Sequence, residues 1–153
     1  MNRWLLLLLL FLGIGLTGCS SEAESMSGEK PPKTVVKIGN ETYATVLGSY
    51  CWKNMCADTV GPHKLLEGKD PIKVNRGEKI TIVMNYNPQP NEIYLGKMDN
   101  ENDDTEVKME NNRFTAPTEE GIYYYIYSVF WMDEKEANVS HGDAYYAFSI
   151  EVN

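Results

Sequence analysis

The chain has 153 residues, a formal net charge of −8 at pH 7 and 42% hydrophobic residues. This length fits one domain with its leader and leaves no room for two typical domains. An acidic surface is repelled by nucleic acid and by anionic lipid headgroups, which basic surfaces bind through counterion release, so the charge argues against a nucleic-acid partner.

The N-terminal residues have the pattern of an export signal. Arg3 is followed by about 13 apolar or small residues, Trp4 to Leu16, which is within the 7–15 residues of a secretory h-region and below the roughly 20 needed to span a bilayer. Leu16-Thr17-Gly18-Cys19 then resembles the lipobox, after which the cysteine is lipidated on sulfur. We therefore expect residues 1–18 to be a lipoprotein signal peptide. Cys19 would anchor the protein at the extracytoplasmic face of the cell membrane.

The segment after Cys19 reads SSEAESMSGEKPPK over residues 20–33. It has no aromatic or branched apolar residue, and such a composition cannot bury enough surface to become ordered. Residues 19–33 are therefore predicted to be the lipidated Cys19 and a disordered tether, which would hold the domain on the order of 20 Å from the membrane. The folded domain is predicted to span residues 34–153.

The rest of the chain reads as strands separated by turns. Ile80, Ile82 and Met84 alternate with Thr81 and Val83, which is typical of a strand with one face in the core. The predicted strands cover residues 34–38, 42–50, 72–74, 80–86, 92–98, 105–109, 122–131 and 144–152, and no stretch has a clear helical period. The pattern predicts an all-β fold, an Ig-like two-sheet antiparallel β-sandwich of about 7–8 strands.

The turn Glu119-Glu120-Gly121-Ile122-Tyr123 resembles the entry to a late strand of immunoglobulin-like domains, where a tyrosine hydroxyl bonds to upstream backbone. Tyr123 is the candidate for this tyrosine corner. Antibody domains place their second bridging cysteine two residues later, and this chain has Tyr125 there. An inter-sheet disulfide of the antibody kind is therefore not expected.

Three segments carry a resemblance to a family: Gly48-Ser49-Tyr50-Cys51-Trp52 with Cys56-Ala57-Asp58 and Gly61-Pro62, then Gly121-Ile122-Tyr123-Tyr124-Tyr125, then Gly142-Asp143-Ala144-Tyr145-Tyr146-Ala147-Phe148. In these segments residues 47–153 resemble poorly characterised lipoproteins and receptor-tail domains of Gram-positive, spore-forming bacteria of the Bacillus type. The resemblance implies an Ig-like extracytoplasmic module. It implies no catalytic or binding residues.

Cys51 and Cys56 are the remaining cysteines once Cys19 is acylated. An exported protein favours a disulfide between them, and a tight turn at Lys53-Asn54 would bring their Cα atoms within reach. The alternative is a thiol redox protein or a soft-metal site, because Cys51, Met55, Cys56 and His63 offer ligands that Cu(I) prefers. We expect the disulfide, no metal and no cofactor.

Other polar groups give weaker patterns. Asp99, Glu101, Asp103 and Glu110 occupy positions 1, 3, 5 and 12 of a calcium-loop count, but Asp104 stands where that loop needs glycine. A solvated acidic hairpin loop over residues 99–110 is the better interpretation, with weak Ca²⁺ binding as the alternative. His63 and His141 are expected in loops. No nucleophile motif accompanies either of them, so we expect no enzyme activity.

Aromatic residues are concentrated in the predicted strand 122–131. Because a strand buries alternate positions, one of two sets should reach the outer face unless something covers it. The sets are Tyr123, Tyr125, Tyr127 and Trp131, or Ile122, Tyr124, Ile126 and Phe130. Cross-strand packing is the simpler explanation of the aromatics. The functional one is a surface for a cell-envelope protein or a glycan, with Trp52, Tyr124, Phe130 and Trp131 as candidate contacts.

Overall fold

The computed structural model describes residues 26–100 and 103–153. They form eleven strands and one short helix, α1 (Pro62–Leu65). The strands are β1 (Thr34–Ile38), β2 (Glu41–Ala44), β3 (Val46–Trp52), β4 (Met55–Ala57), β5 (Ile72–Val74), β6 (Lys79–Met84), β7 (Glu92–Met98), β8 (Asp104–Glu106), β9 (Arg113–Thr115), β10 (Gly121–Met132) and β11 (Ser140–Val152).

Two sheets enclose the core. One has four strands in the order β2-β1-β6-β9, and the other has seven, with β4-β3-β11-β10-β7-β8 in a row and β5 beside β11. Every pairing is antiparallel except that between β5 and β11. The all-β, two-sheet sandwich is confirmed. There are more strands than predicted because residues 42–50 divide at Thr45 into β2 and β3, which join different sheets, and because the three-residue strands β4 and β9 give little sequence signal.

Part of the strand order matches the immunoglobulin arrangement, with β2, β3 and β4 as additions at the sheet edges. Strands β7, β10 and β11 pair as strands C, F and G do, with β8 in the place of C′, and β6 and β9 pair as B and E do. The tyrosine corner is present, since the Tyr123 hydroxyl donates to the carbonyl of Glu119 over 3.0 Å. That bond fixes the entry into β10 at the residue predicted for it.

An aromatic cluster surrounds Tyr125, which stands at the position of the second antibody cysteine. Tyr125 on β10 stacks on Phe148 of β11, with ring centroids 5.2 Å apart and planes 10° apart. Its ring also lies 5.1 Å from that of Phe114, which belongs to β9 in the opposite sheet. The two sheets are thus joined at this level by packed rings. At about 25 cal/mol per Å² of buried apolar surface, the burial of each ring stabilises the fold by several kcal/mol.

A second cluster, of Trp52, Tyr86 and Trp131, closes one end of the sandwich. The two indole rings meet edge to face at 4.9 Å, and Tyr86 lies within 6 Å of both. Trp52 and Trp131 are only 1% and 4% exposed. The hypothesis that these two tryptophans contact a partner is therefore wrong. Both occupy inward-facing positions of their strands, and the Trp131 indole N–H donates internally to the carbonyl of Pro88 over 2.8 Å.

Residues 26–33, called the strap below, pack against this end of the domain. Met26 is 9% exposed, and the carbonyl of Gly28 accepts the indole N–H of Trp52 over 3.3 Å. The carbonyl of Pro32 accepts the Tyr146 hydroxyl over 2.6 Å. The predicted disordered tether is thus wrong for residues 26–33, because their backbone carbonyls satisfy buried ring donors. Residues 19–25, including Cys19, lie outside the described residues.

Candidate functional site

The outer face of the seven-stranded sheet is the candidate interaction surface. Along β10 the side chains of Tyr125, Tyr127, Val129 and Trp131 are buried between the sheets. The alternate set, Ile122, Tyr124, Ile126 and Phe130, therefore projects from the opposite side, where Ile122 is 53% exposed and the other three are partly exposed. Of the two sets left open by the sequence, this one reaches the outer face.

Strand β7 extends this face on one side. Its Gly96 and Tyr94 lie opposite Ile126 and Ser128 of β10. The Tyr94 hydroxyl donates to a carboxylate oxygen of Asp104 over 2.5 Å, and this bond raises the pKa of Tyr94 to about 12. A side chain at Gly96 would clash with the same carboxylate, since a Cβ there would lie 2.0 Å from it. Gly96 thus lets the edge strand β8 bring a negative charge close to the apolar row.

Residues 58–66, the cover segment, lie over the outer face of β11. The Tyr145 hydroxyl donates to the carbonyl of Val60 over 3.0 Å and lies 2.9 Å from the Thr59 hydroxyl. Ala147 and Ser149 are 0% and 6% exposed although they face outward. The sequence of this segment, with Gly61-Pro62 at the start of α1, indicates a turn. It does not indicate that the turn packs over β11. Helix α1 of this segment also contacts β10, whereas Ile122 at the start of β10 is 53% exposed.

His63 comes from helix α1 in the cover segment and packs on the candidate surface. Its ring centroid lies 4.3 Å from that of Tyr124, with a 47° angle between the planes. Its Nδ1 is buried and has no hydrogen-bond partner among the described residues. His63, expected in a loop, instead shields one side of the Tyr124 ring.

The predicted disulfide is present. Cys51 and Cys56 are joined, with their Cα atoms 4.0 Å apart, as a directly opposed pair in the β3–β4 hairpin. The turn lies at Lys53 and Asn54 as expected, with Lys53 at a φ of 56°. Cys56 and Met55 are exposed. The hairpin therefore presents an oxidised, solvent-facing cysteine pair.

This bonding bears on the soft-metal alternative. A metal prefers thiolates, and bonded sulfurs offer none, so that alternative requires the reduced protein. Within residues 26–100 and 103–153, no group of three or more His, Cys, Asp or Glu side chains is arranged to hold a metal ion. Of the four residues proposed for copper, Cys51 and Cys56 are joined in the disulfide, and His63 packs against Tyr124.

The other histidine pairs with an acid. His141 Nε2 lies 2.9 Å from the carboxylate of Asp133, at the start of β11 and not in a loop. Backbone N–H groups of Glu136 and Lys135 also donate to Asp133, and these bonds lower the pKa of that carboxyl group. The pair closes the β10–β11 connection, where the backbone of Asp133 and Val139 is also hydrogen-bonded. These surrounding hydrogen bonds indicate that the His141–Asp133 pair has a structural role.

The acidic loop is a hairpin turn between β7 and β8, as the solvated-loop interpretation predicts. Met98 pairs with Asp104, and Asp103 accepts the backbone N–H of Asp99 over 2.9 Å. Glu110 belongs to a separate turn that pairs it with Arg113. Glu101 lies outside the described residues. Weak Ca²⁺ binding by this loop stays an alternative that no observation here tests.

No family model, curated protein or solved structure matches the chain. The resemblance to Gram-positive lipoproteins therefore stays a prediction from the residues that carry it. In the part of the chain that the structure describes, no helix is both long enough and apolar enough to cross a membrane.

Proposed function

We propose that this protein is a lipid-anchored extracytoplasmic lipoprotein whose domain is a non-catalytic binding module. The observation that carries the proposal is the row of Ile122, Tyr124, Ile126 and Phe130 on the outer face of the seven-stranded sheet. Aromatic and branched apolar side chains presented together on a sheet are typical of protein interfaces, where a few such anchors supply most of the binding energy.

A protein partner fits this face better than a glycan. Sugars stack on open aromatic rings, and the Tyr124 ring is already packed against His63. Two of the four members are isoleucines, which offer branched apolar contact instead of a flat ring. The row is bordered by acids, since Glu92 lies opposite Phe130 and Asp104 bonds Tyr94. The matching partner surface would be apolar with a basic rim.

The strap determines how the proposed anchor would hold the domain. Only six residues, 20–25, separate Cys19 from the buried Met26. At about 3.5 Å per residue, they and the bonds to their neighbours span no more than about 25 Å. The end of the sandwich that contains Trp52 and Trp131 would then face the membrane at close range. In a domain held in this way, the plane of the seven-stranded sheet would be parallel to the membrane normal, so its outer face would point along the membrane surface.

Photo-crosslinking in cells tests the binding proposal. A photoreactive phenylalanine analogue replaces Ile126 in one strain and Val83 in a matched control, because Val83 is also apolar and 37% exposed but lies on the outer side of the four-stranded sheet. We expect a discrete protein adduct from position 126 and none from position 83. Equal adducts at both positions, or none at 126, would contradict the proposal.

The anchor is tested separately by Cys19→Ala. We expect this variant to lose its lipid and to change its membrane attachment, which fractionation and mass spectrometry of the N-terminal peptide would measure. Unchanged attachment without any acyl mass on the wild-type peptide would contradict the lipoprotein assignment. The crosslinking result does not depend on this outcome, because the outer face is formed by the domain alone.

The alternative function is a thiol redox or soft-metal protein. One observation favours it: the Cys51–Cys56 bridge lies at an exposed hairpin, where a thiolate could reach Cys56, and Met55 beside it is 57% exposed. The test is the redox state of the protein in the cell, trapped by acid and thiol alkylation. A fully oxidised pair that does not change with growth conditions would exclude the alternative, and a reduced fraction that binds Cu(I) would support it.

A further inference from the structure

A basic groove lies on the other sheet, on the side facing away from the core. It has a volume of about 500 Å³. Its main polar lining consists of Lys79, Thr81, Lys108, Glu110, Arg113 and Thr115. This volume is within the range of small-molecule sites in proteins.

The register of β6 and β9 explains why these side chains converge. Ile80 and Phe114 point into the core, so their neighbours point outward. Lys79 lies directly opposite Thr115 and donates to its hydroxyl over 2.6 Å, and Thr81 lies opposite Arg113. Outside the groove lining, Lys37 of strand β1 lies opposite Thr81 on the same side of the sheet. The hydroxyl groups of Thr81 and Thr115 thus lie beside the cationic side chains.

The end of the groove is a tight turn. Glu110 and Arg113 exchange backbone hydrogen bonds of 2.9 and 3.0 Å, and the two residues between them, Asn111 and Asn112, both have positive φ, 51° and 59°. This is a two-residue hairpin turn of the type that favours asparagine. The turn places Asn111 in the lining of the groove, just before the start of β9.

The charge of the groove is opposite to that of the protein. The chain as a whole carries −8. Lys79, Lys108 and Arg113 have no carboxylate within ion-pair distance among the described residues, whereas Lys64, Arg76 and Lys97 each have one. Glu110 is the single acid in the lining. Unpaired cations that converge on a concave surface attract anions from solution and raise their local concentration.

We propose that this groove binds a phosphate-bearing organic anion. A guanidinium group can bind two phosphate oxygens at once, the lysines supply point charges, and the threonine hydroxyls and the asparagine amide can donate to the remaining oxygens. The volume exceeds that of one phosphate ion and leaves room for the organic group that carries it. This inference concerns a different surface from the outer face, and only the choice between a soluble and a membrane source rests on the proposed lipid anchor.

The same chemistry could come from a lipid headgroup or from a soluble phosphate ester. The groove lies at the start of β6, and the strap packs near Tyr86, just beyond the end of that strand. Along a strand these ends are about 17 Å apart, at roughly 3.3 Å per residue. Because the strap leads to the proposed anchor, the groove lies at the far end from the protein's own membrane. The geometry therefore favours the soluble source.

The test is an NMR titration of residues 20–153, which contain every residue of the described domain. Glycerol 3-phosphate is the ligand, glycerol is its phosphate-free control, and both are measured at about 0.1 M salt. We expect saturable amide shifts at Asn111, Arg113 and Thr115 with glycerol 3-phosphate and none with glycerol. Vesicles containing phosphatidylglycerol form the second arm, with phosphatidylcholine vesicles as their control.

Substitutions identify the groove as the binding site. Arg113→Gln should weaken binding at least tenfold, and so should Lys108→Gln, which lies outside the strands and so spares β9 if the first variant is poorly folded. The matched control is Lys69→Gln, because Lys69 is also exposed and unpaired among the described residues. It should change the affinity less than twofold.

Four results would overturn the inference: no saturable shift, equal shifts with sulfate at the same concentration, equal losses in all three variants, or binding to phosphatidylglycerol vesicles alone. The first refutes the site, the second indicates an adventitious anion, the third indicates overall charge, and the fourth refutes the soluble source. Ile126→Ser, on the outer face, should leave phosphate binding unchanged. A failure of the groove would thus leave the proposed binding module untouched.

Discussion

Removing the Cys51–Cys56 bridge by Cys51→Ser with Cys56→Ser should cost about 2 kcal/mol of unfolding free energy. The bridge joins residues five positions apart. For so short a loop the chain-entropy relation gives about 2 kcal/mol, near the lower end for native disulfides. Cys56 is exposed and Cys51 is only partly buried, so serine opens no cavity at either position. The entropic contribution of the unfolded chain is therefore the whole expected effect.

The rest of the hairpin should keep its shape without the bridge. Trp52 pairs with Met55 across the turn, and Trp52 is held in the core by its ring contacts with Tyr86 and Trp131. At about 4 °C per kcal/mol for a domain of roughly 130 residues, the melting temperature should fall by about 8 °C. The denaturant dependence of unfolding should be unchanged, because the surface buried on folding is the same.

Urea unfolding followed by tryptophan fluorescence measures this, since Trp52 and Trp131 are both buried. The wild-type protein with and without a reducing agent is the matched control, because reduction removes the bond and keeps both side chains. The reasoning is refuted by a loss below about 0.5 kcal/mol, by a loss above about 5 kcal/mol, or by reduction and substitution giving different values.

Three further predictions follow from packing and burial. Gly48→Ala should cost about 1–3 kcal/mol in urea unfolding, because its Cβ would lie 1.9 Å from the Tyr145 ring, and adding Tyr145→Ala should remove most of this extra cost. Met26→Ala should cost about 2 kcal/mol, and an effect within error would show that the strap is not packed in solution. Burial raises the pKa of Tyr127 to about 12. The stability that this pKa difference between folded and unfolded protein supplies is therefore complete below pH 10 and is lost as the pH rises towards 12. Above pH 10 the unfolding free energy should fall less steeply in Tyr127→Phe than in the wild type.

Alternation of side chains allowed most of the sandwich to be predicted. The bounds of β1, β5 and β7 agree with the predicted strands residue for residue. Each of these strands is delimited by turn residues. Strands β1 and β5 bury alternate positions against the core, whereas β7 buries the adjacent Leu95 and Gly96. The tyrosine corner could also be predicted, because it needs only a local turn with a tyrosine at a fixed place. Local chemistry therefore determines these elements.

The orientation of β10 could not be predicted from its own residues. Both of its faces carry aromatic and branched apolar side chains, so a strand periodicity argument gives two equal solutions. The choice depends on Phe114 of β9 and Phe148 of β11, which pack on Tyr125. Trp52 illustrates the same point, because its burial depends on the pairing of β3 with β11, which the residues around Trp52 do not indicate.

The strap and the cover segment were missed for a different reason. Each buries an apolar side chain, Leu66 or Met26, but each is also held by carbonyl groups that accept from Trp or Tyr. A carbonyl group is present at every residue, so the sequence does not mark which ones will be used. Buried aromatic donors, however, do need acceptors. A chain with ten tyrosines and three tryptophans can therefore be expected to draw polar segments onto its surface.

The two proposed binding surfaces lie on opposite sides of the sandwich, and this has a consequence for how they act. The outer face belongs to the seven-stranded sheet and the basic groove to the four-stranded sheet, with the aromatic core between them. A rigid core of packed rings does not transmit small side-chain shifts unless it has two arrangements. The core is close-packed in one arrangement in this structure, and we therefore expect independent binding. The affinity for glycerol 3-phosphate should be the same whether or not the outer face is occupied.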